Sequence, residues 1–440
     1  MRNRLYEHID NSPLIIFRIF LGLLLACESF GSMLTGWLYD NLIKPEFTFS
    51  HIGMEWLQPL PGNWMYAYYA IMGTFGLMIM AGYKYRLGVA GFTLLWAGVY
   101  FMQKTSYNNH YYLLMLIGFI MFFLPAGRYY SVDVLQKPEK KEFTMPAWCS
   151  WVMIIQVTIV YLYATLAKFY PGWLDGTFTR ILLSQSLHRS IAHWGNEPWF
   201  YLFIAYSGII FDMLIVPLLL FRQTRTIALV SSLFFHLFNS FTLHIGIFPF
   251  FALSFVVFFY PPETIRRIFF KKKPVVTDHT PTCKGSAVFK YIFVPYLILQ
   301  ALLPLRHYII KGDVLWTDEG HRLSWRMMLR FRDGVAHFRV VDKKTGRVLP
   351  YNPHNDLTPK QYNAMAPKSD MLWQMSRYIK KKFAAKGIDV AVYVDSRTSI
   401  NAGPRRQLID PTIDLASAPW NYFFHDDWVL LYDEEGNIIK

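Results

Sequence analysis

The sequence predicts a polytopic α-helical membrane protein with about 8–9 transmembrane helices, followed by a C-terminal soluble domain that is β-rich or α+β. Three observations carry this. Of 440 residues, 53% are hydrophobic and 18% aromatic while only 17% are charged, too apolar a balance for an ordinary soluble domain. The apolar residues gather in runs of roughly 17–25, the length that crosses a bilayer as a helix. Beyond residue 306 the runs give way to alternating strand patterns and one amphipathic helix. The expected division is 1–306 for the membrane part and 307–440 for the soluble part.

Candidate spans lie at 14–34, 64–82, 88–103, 110–126, 147–167, 199–221, 226–244, 247–260 and 288–305. The first contains Glu28 and has no small-residue cleavage site, so it reads as a span and not as a removed leader. The stretch 226–260 is too long for one crossing helix, and the Gly and Pro of "HIGIFPFF" offer a break. Either two spans or one broken, re-entrant segment fits it. With Arg2 and Arg4 in the cytoplasm, Lys84 and Arg86, the Arg128–Lys141 loop, Arg222 and Arg225, and the Arg266–Lys273 cluster all fall on that side. The net charge of +14 is accounted for by these loops, and no nucleic-acid partner is expected. The N-terminus is thus expected inside and the C-terminal domain outside.

In the soluble part, "VAHFRVVDKKTGRVLPY" reads as two strands around a turn. "SDMLWQMSRYIKKKF" reads as a helix with one buried face and Ser369 or Asp370 as its N-cap. "DVAVYVD" and "WVLLYDEEGNII" supply further strands. Cys27, Cys149 and Cys283 are far apart and suggest neither a disulfide framework nor a zinc site.

Several polar residues need a reason. "KTSYNNH" at 104–110 places Asn109 and His110 between two apolar runs. Lys168 ends the fifth span before a Pro-Gly turn, either as a snorkelling lysine or as a desolvated amine available as a base. His236, Ser240 and His244 share one helical face, with Asn239 beside them. That stripe is either interhelical glue or a cavity lining, and without a carboxylate it gives little support to a metal. Glu28 falls under the same rule for intramembrane charge. Arg326, Arg330 and Arg332 are expected on one face of a strand, as a solvated face or a carboxylate-binding patch.

Taken together, "KTSYNNHYYLL" with "RYYSVD", "YLYATLAKFYPGWLDG", "FHLFNSFTLHIGIF" and "LSWRMMLRFR" resemble, in order, segments of the vitamin K-dependent gamma-carboxylases, within the wider group of horizontally transferred transmembrane domain proteins. The matches span roughly residues 14–350. The resemblance implies an enzyme that couples oxidation of reduced vitamin K (phylloquinol or menaquinol) by oxygen, giving the epoxide, to carboxylation of a protein glutamate with carbon dioxide. It needs no metal. Lys168 then corresponds to the catalytic base and His110 to a second catalytic group. Asn109, His110, Tyr161, His236 and Asn239 would bind the quinol, and Trp325, Arg330 and Arg332 the glutamate substrate. The implied partners are the lipid bilayer, a quinone and a glutamate-containing protein or peptide.

Two departures stand out. The family's animal members carry more C-terminal lumenal sequence, and their paired lysines are Ala167-Lys168 here. The layout resembles a bacterial member in an inner membrane. Two other readings follow: a quinol epoxidase without glutamate carboxylation, and a non-catalytic quinone- or lipid-binding membrane protein.

Overall fold

A computed structural model describes residues 2–186, 192–243, 246–277, 279–281, 285–433 and 435–439. His244 and Cys283, both singled out by the sequence, lie outside the described residues. The membrane part holds helices α1 (Ser12–Leu34), α2 (Trp64–Ala81), α3 (Tyr85–Met102), α4 (Asn109–Phe123), α5 (Trp148–Lys168), α6 (Pro198–Leu220) and α7 (Arg225–Leu243). After these come α8 (Phe248–Ser254), α9 (Pro262–Phe269) and α10 (Ser286–Tyr308), the last containing a π-helical turn at Phe289–Phe293.

Helix α1 starts at a Pro near its N-terminus, where the missing N–H has no helical partner to lose. It buries Leu14, Phe17, Leu21 and Leu25, spaced three and four apart. Its approach to α2 is set by glycine: a Cβ on Gly22 would lie 2.2 Å from the backbone nitrogen of Met80, and one on Gly76 would lie 2.7 Å from that of Ala26. Backbones this close gain dispersion contact that larger residues would prevent.

Length and composition alone do not reach the expected 8–9 spans. By length and apolarity, among the described residues, five helices suit a crossing: α1, α2, α5, α6 and α10. A sixth is reached only by joining α8 to α9, which bend by 117°. The reasons are local. Helix α4 has 15 residues, about 22 Å at 1.5 Å per residue, and α8 ends after seven. The apolar run at 247–260 is helical to Phe258, and the chain bends before Pro262, as a broken span or a re-entrant loop would.

At the end of the bundle away from the soluble domain, strand β1 (His8–Asp10) pairs antiparallel with β2 (Thr144–Pro146). The buried Lys273 ammonium donates there to Asp10 at 2.5 Å, to Asn11 at 2.7 Å and to Ser12 at 3.0 Å.

The soluble domain is built on a four-stranded antiparallel sheet in the order β4-β3-β5-β6, from β3 (Arg332–Asp342), β4 (Val348–Leu349), β5 (Val390–Ile400) and β6 (Arg406–Gln407). Helices α11 (Pro359–Met365) and α12 (Ser369–Ala384) cover it, and β7 (Leu431–Tyr432) with β8 (Ile438–Ile439) forms the final hairpin. The inward residues Phe338, Val340, Val392 and Val394 meet Leu372, Met375 and Ile379 of α12. The expected cap of α12 is not made: Lys368 occupies that position without a side-chain bond. Ser369 donates to the carbonyl of Thr317 at 2.9 Å, and Asp370 has another task.

That task is to join the two halves. The Asp370 carboxylate accepts from Lys104 Nζ at 2.5 Å and from Arg322 at 2.6 Å, with the Lys104 and Asp370 side chains only 1% and 5% exposed. Burial alone raises the Asp370 carboxyl, but Arg322 and Lys104 hold it well below the usual carboxylate range. Burial outweighs the carboxylate's pull on Lys104, whose pKa falls to about 8. The two halves also exchange core residues. Phe49, from the loop after α1, is fully buried in the soluble core, beside Phe47, whose ring stacks on Tyr378 at 4.4 Å. Trp325, from the soluble part, is fully buried in the membrane core, 5.0 Å from the Tyr112 ring.

Two predictions follow from this joint and from the loop near the C-terminus. Lys104→Ala leaves Asp370 with one cation in a sealed interface and is expected to cost about 3 kcal/mol, the lower end for breaking a buried pair. Thermal unfolding in detergent and protease cleavage around 306–322 measure it; unchanged profiles in both would refute the role given to Lys104. In the second, the Asp426 carboxyl is pushed up to about 6, mostly by burial and then by Glu319, against hydrogen bonds from Asn421. Burial lowers His425, but its 2.7 Å contact with Glu319 raises it overall. Both groups have raised folded values, so the Asp426 contribution is full only below its unfolded value of about 4 and is lost as pH rises to about 6, and the His425 contribution is lost at higher pH. Protection of the 419–428 backbone from hydrogen exchange, corrected for intrinsic rate, should drop by about 1–2 kcal/mol between pH 5 and 8, and Asp426→Asn should flatten that drop.

Candidate functional site

Helix α5 ends at Lys168 because Pro171 follows closely and starts a short turn of helix, Pro171–Leu174. The Lys168 side chain is buried. Its Nζ is ion-paired with Asp212 of α6, donates to the carbonyl of Ala164 at 3.3 Å, and sits 5.3 Å from the centre of the Trp173 ring. Carboxylate, carbonyl and ring face are all good partners for an ammonium. The sequence left Lys168 as either a snorkelling lysine or a desolvated amine; the structure buries it and supplies a carboxylate partner. Asp212 carried a signal that the sequence reading passed over: it is an acid inside a 23-residue apolar helix.

This pair opens into a mostly apolar cavity with about 1030 Å³ of empty space, part of it open outward. Val157, Val160 and Tyr161 of α5, His236 and Asn239 of α7, and Phe248 of α8 form walls, and Met327 and Met328 of the soluble part close it above. Tyr161 Oη and His236 Nε2 share a hydrogen bond of 3.2 Å. His236 Nδ1 is buried without a partner. Four of the sequence-flagged residues, Tyr161, Lys168, His236 and Asn239, thus meet in one cavity.

His110 and Asn109 stand apart from it. The His110 ring stacks on Phe248 at 4.7 Å, and Phe248 also meets the edge of His236 at 6.2 Å, so His110 lies one ring behind the wall. The Asn109 amide is engaged at both ends: it accepts from Tyr107 at 3.2 Å and donates to the carbonyl of Arg326 at 3.1 Å. Asn108 caps α4 by accepting from the backbone of Tyr111 at 2.9 Å. Glu28 accepts from Tyr111 at 3.0 Å and borders a separate, smaller cavity with Tyr100 and Gln103. Ser240 does not line the Lys168 cavity.

The expected strand through Arg326, Arg330 and Arg332 is not formed. Residues 323, 325 and 328 have left-handed backbones, with φ of 62°, 55° and 47°, and β3 begins only at Arg332. The reason is tertiary: the segment turns inward to deliver Trp325 to the membrane core. Arg330 is ion-paired with Asp318 and donates to the carbonyl of Val314 at 2.8 Å. Arg332 donates to the carbonyls of Leu315 at 3.1 Å and Trp316 at 2.8 Å, and to that of Pro367. Trp325, which the resemblance assigned to substrate, is fully buried against Tyr112. Among the described residues, no group of three His, Cys, Asp or Glu is placed to hold a metal ion.

Two family models match the chain. The HTTM domain model covers residues 6–263, and the model for the vitamin K-dependent gamma-carboxylase lumenal domain covers residues 285–435. The second match begins at α10, ahead of the division drawn from composition. No solved structure matches the chain.

The Lys168–Asp212 pair makes its own prediction. Lys168→Met or Asp212→Leu alone strands a buried charge and is expected to cost about 3 kcal/mol, whereas the double variant should recover most of that loss. Detergent melting curves of the four proteins measure it, and additive losses would show that the two side chains are not coupled.

Proposed function

Because the chain belongs to the vitamin K-dependent gamma-carboxylase family, with the HTTM and lumenal-domain matches in sequence, we propose that it is a membrane enzyme coupling naphthoquinol epoxidation to carboxylation of a protein glutamate. The supporting observation is the cavity itself: a buried, paired lysine, a tyrosine–histidine hydrogen bond and an unpartnered His236 nitrogen, all facing apolar walls at the border of the soluble domain. A two-ring quinol headgroup suits this lining, since such ligands take mostly apolar pockets with a few placed polar groups. When bound, the quinol with one O2 becomes the epoxide and water, and this oxidation supplies the base strong enough to remove a glutamate γ-proton. The γ-carbon then gains CO2, and one proton is released for each carboxylate formed.

The chain's own residues have separable tasks in this reading. Lys168 Nζ takes the quinol hydroxyl proton once the proton it shares with Asp212 rests on the carboxylate, which frees the amine lone pair. His236 donates to or accepts from the quinol oxygen through its free Nδ1, and Tyr161 fixes the ring that does so. Asn239 lines the same wall. His110 positions Phe248 from behind, and Asn109 holds the backbone at Arg326. The apolar walls, with Met327 and Met328 above, exclude the water that would quench both base and carbanion. The loop charges favour an N-terminus in the cytoplasm and a soluble domain outside, and that orientation is part of this proposal.

One observation favours a second reading, quinol epoxidation without carboxylation. The guanidinium groups of Arg330 and Arg332, expected to grip the substrate carboxylate, are already engaged with Asp318 and with backbone carbonyls. The deciding experiment supplies nanodisc-embedded protein with a reduced naphthoquinol, oxygen, a glutamate peptide and labelled bicarbonate. Epoxide and fixed label together are expected, and Lys168→Ala should cut both by about 100-fold or more. Epoxide without label supports the second reading. Neither product, with quinone still bound, leaves a binding protein, and full epoxidation by Lys168→Ala removes the base assignment.

A further inference from the structure

Across Met328 from the Lys168 cavity lies a second cavity, in the soluble part, and Met328 is the residue that borders both. Its backbone is left-handed, with φ of 47°, and its side chain is exposed. The wall is held at both ends: Trp325 is anchored in the membrane core, and Arg330 is tied to Asp318. At Met328 the partition is a single unbranched side chain with three rotatable bonds, easily displaced and apolar.

The second cavity is strongly basic. Arg322, Arg326, Arg330, Arg332 and Lys368 line it, against one acid, Asp318. Most of that charge is spoken for. Arg322 serves Asp370, Arg330 serves Asp318, and Arg332 serves three carbonyls. Two cations make no ion pair among the described residues, although Asp318 and Asp370 act on Lys368, and Asp313 on Arg326, from farther off. The Arg326 guanidinium has, among the described residues, a single hydrogen-bond partner, the ring nitrogen of His307 at 3.3 Å, and its Nε is buried and unpartnered. The Lys368 ammonium has no hydrogen bond or ion pair among the described residues, and burial lowers its pKa. His321, in the same wall, has a buried Nδ1 without a partner. Buried donors left unmatched are costly, and a ligand that accepts from them recovers that cost.

We propose that this cavity is a receptor for the side-chain carboxylate of a peptide glutamate, with Lys368 and Arg326 as its anion ligands and Met328 as the movable wall across which the γ-carbon reaches the Lys168 cavity. The inference rests on the functional reading above for what happens beyond the wall. It moves the carboxylate grip from Arg330 and Arg332, which shape the loop, to the two cations that make no ion pair among the described residues. A carboxylate held there has two charge-assisted donors to orient it. Met328 keeps the quinol side dry until the glutamate is seated, so that the base forms beside a substrate and not beside water.

Binding and labelling test this without turnover. In the full-length protein in nanodiscs, without quinol or oxygen, a fluorescent peptide bearing one glutamate should bind about tenfold more tightly than its glutamine counterpart, by anisotropy. Lys368→Met and Arg326→Met should each bring the glutamate peptide to the glutamine level, and Lys368→Gln serves if a methionine variant melts early. Equal binding of the two peptides, or undiminished glutamate binding by folded Lys368 variants, would overturn the receptor. In Met328→Cys, a water-soluble anionic thiol reagent should label residue 328 above the background of the natural cysteines. Both the glutamate peptide and an oxidised naphthoquinone should slow that labelling severalfold. Protection by neither ligand would overturn the wall. A wild-type protein that binds glutamate selectively yet yields no epoxide or label would sink the catalytic reading and leave the receptor standing.

Discussion

A lysine ammonium sealed between two halves of the molecule is the interaction on which the rest depends. Lys104 reaches Asp370 at 2.5 Å in a setting almost closed to solvent, so the charge must be matched there or not be there at all. Matching it fixes the start of α12 against the turn before α4. Arg322 completes the carboxylate from the other side and so fixes the beginning of the loop that runs to β3. From that point the loop sends Trp325 into the membrane core and lays Met327 and Met328 over the Lys168 cavity. The roof of the candidate site is thus placed by an ion pair that has no part in its chemistry.

The second buried lysine is built differently. Lys104 is held by a carboxylate that also holds an arginine, a closed arrangement with no spare face. Lys168 shares one carboxylate and faces an open, apolar space lined by Tyr161, His236 and Asn239. A charge pair that ends in a cavity has somewhere to send a proton, whereas a sealed pair does not. That contrast, more than burial, separates a structural lysine from a candidate base. Buried ionisable groups with perturbed surroundings mark functional sites only when a cleft is beside them.

The polar turn "KTSYNNH" shows how a single stretch divides its labour. Lys104 binds the soluble domain, Tyr107 accepts from the backbone of Leu323 at 2.9 Å, Asn108 caps α4, Asn109 holds Arg326, and His110 braces Phe248. Its residues are a docking edge first, and their link to the cavity runs through the parts that they position. The reciprocal burial of Phe49 and Trp325 makes the same point: neither half completes its core without a side chain from the other.

Much of this was legible in the sequence because it is periodic or compositional. Runs of apolar residues announce membrane helices, alternation announces β3 and β5, and the spacing of His236 and Asn239 puts them on one helix beside the cavity that also receives Lys168. Isolated intramembrane charge is also visible in a sequence, and Asp212 was there to be read. What sequence spacing could not supply was pairing at a distance. Lys104 and Asp370 are 266 residues apart, Lys168 and Asp212 are 44 apart, and the arginines of the 326–332 segment lose their strand alternation to the pull of Trp325 toward another domain's core. By itself the sequence determined which segments are apolar, which alternate and which carry charge, since local chemistry sets those. The tertiary structure alone decided which charges are matched and which are left free, because a buried charge takes its partner from whatever the packing of distant segments brings within a few ångströms.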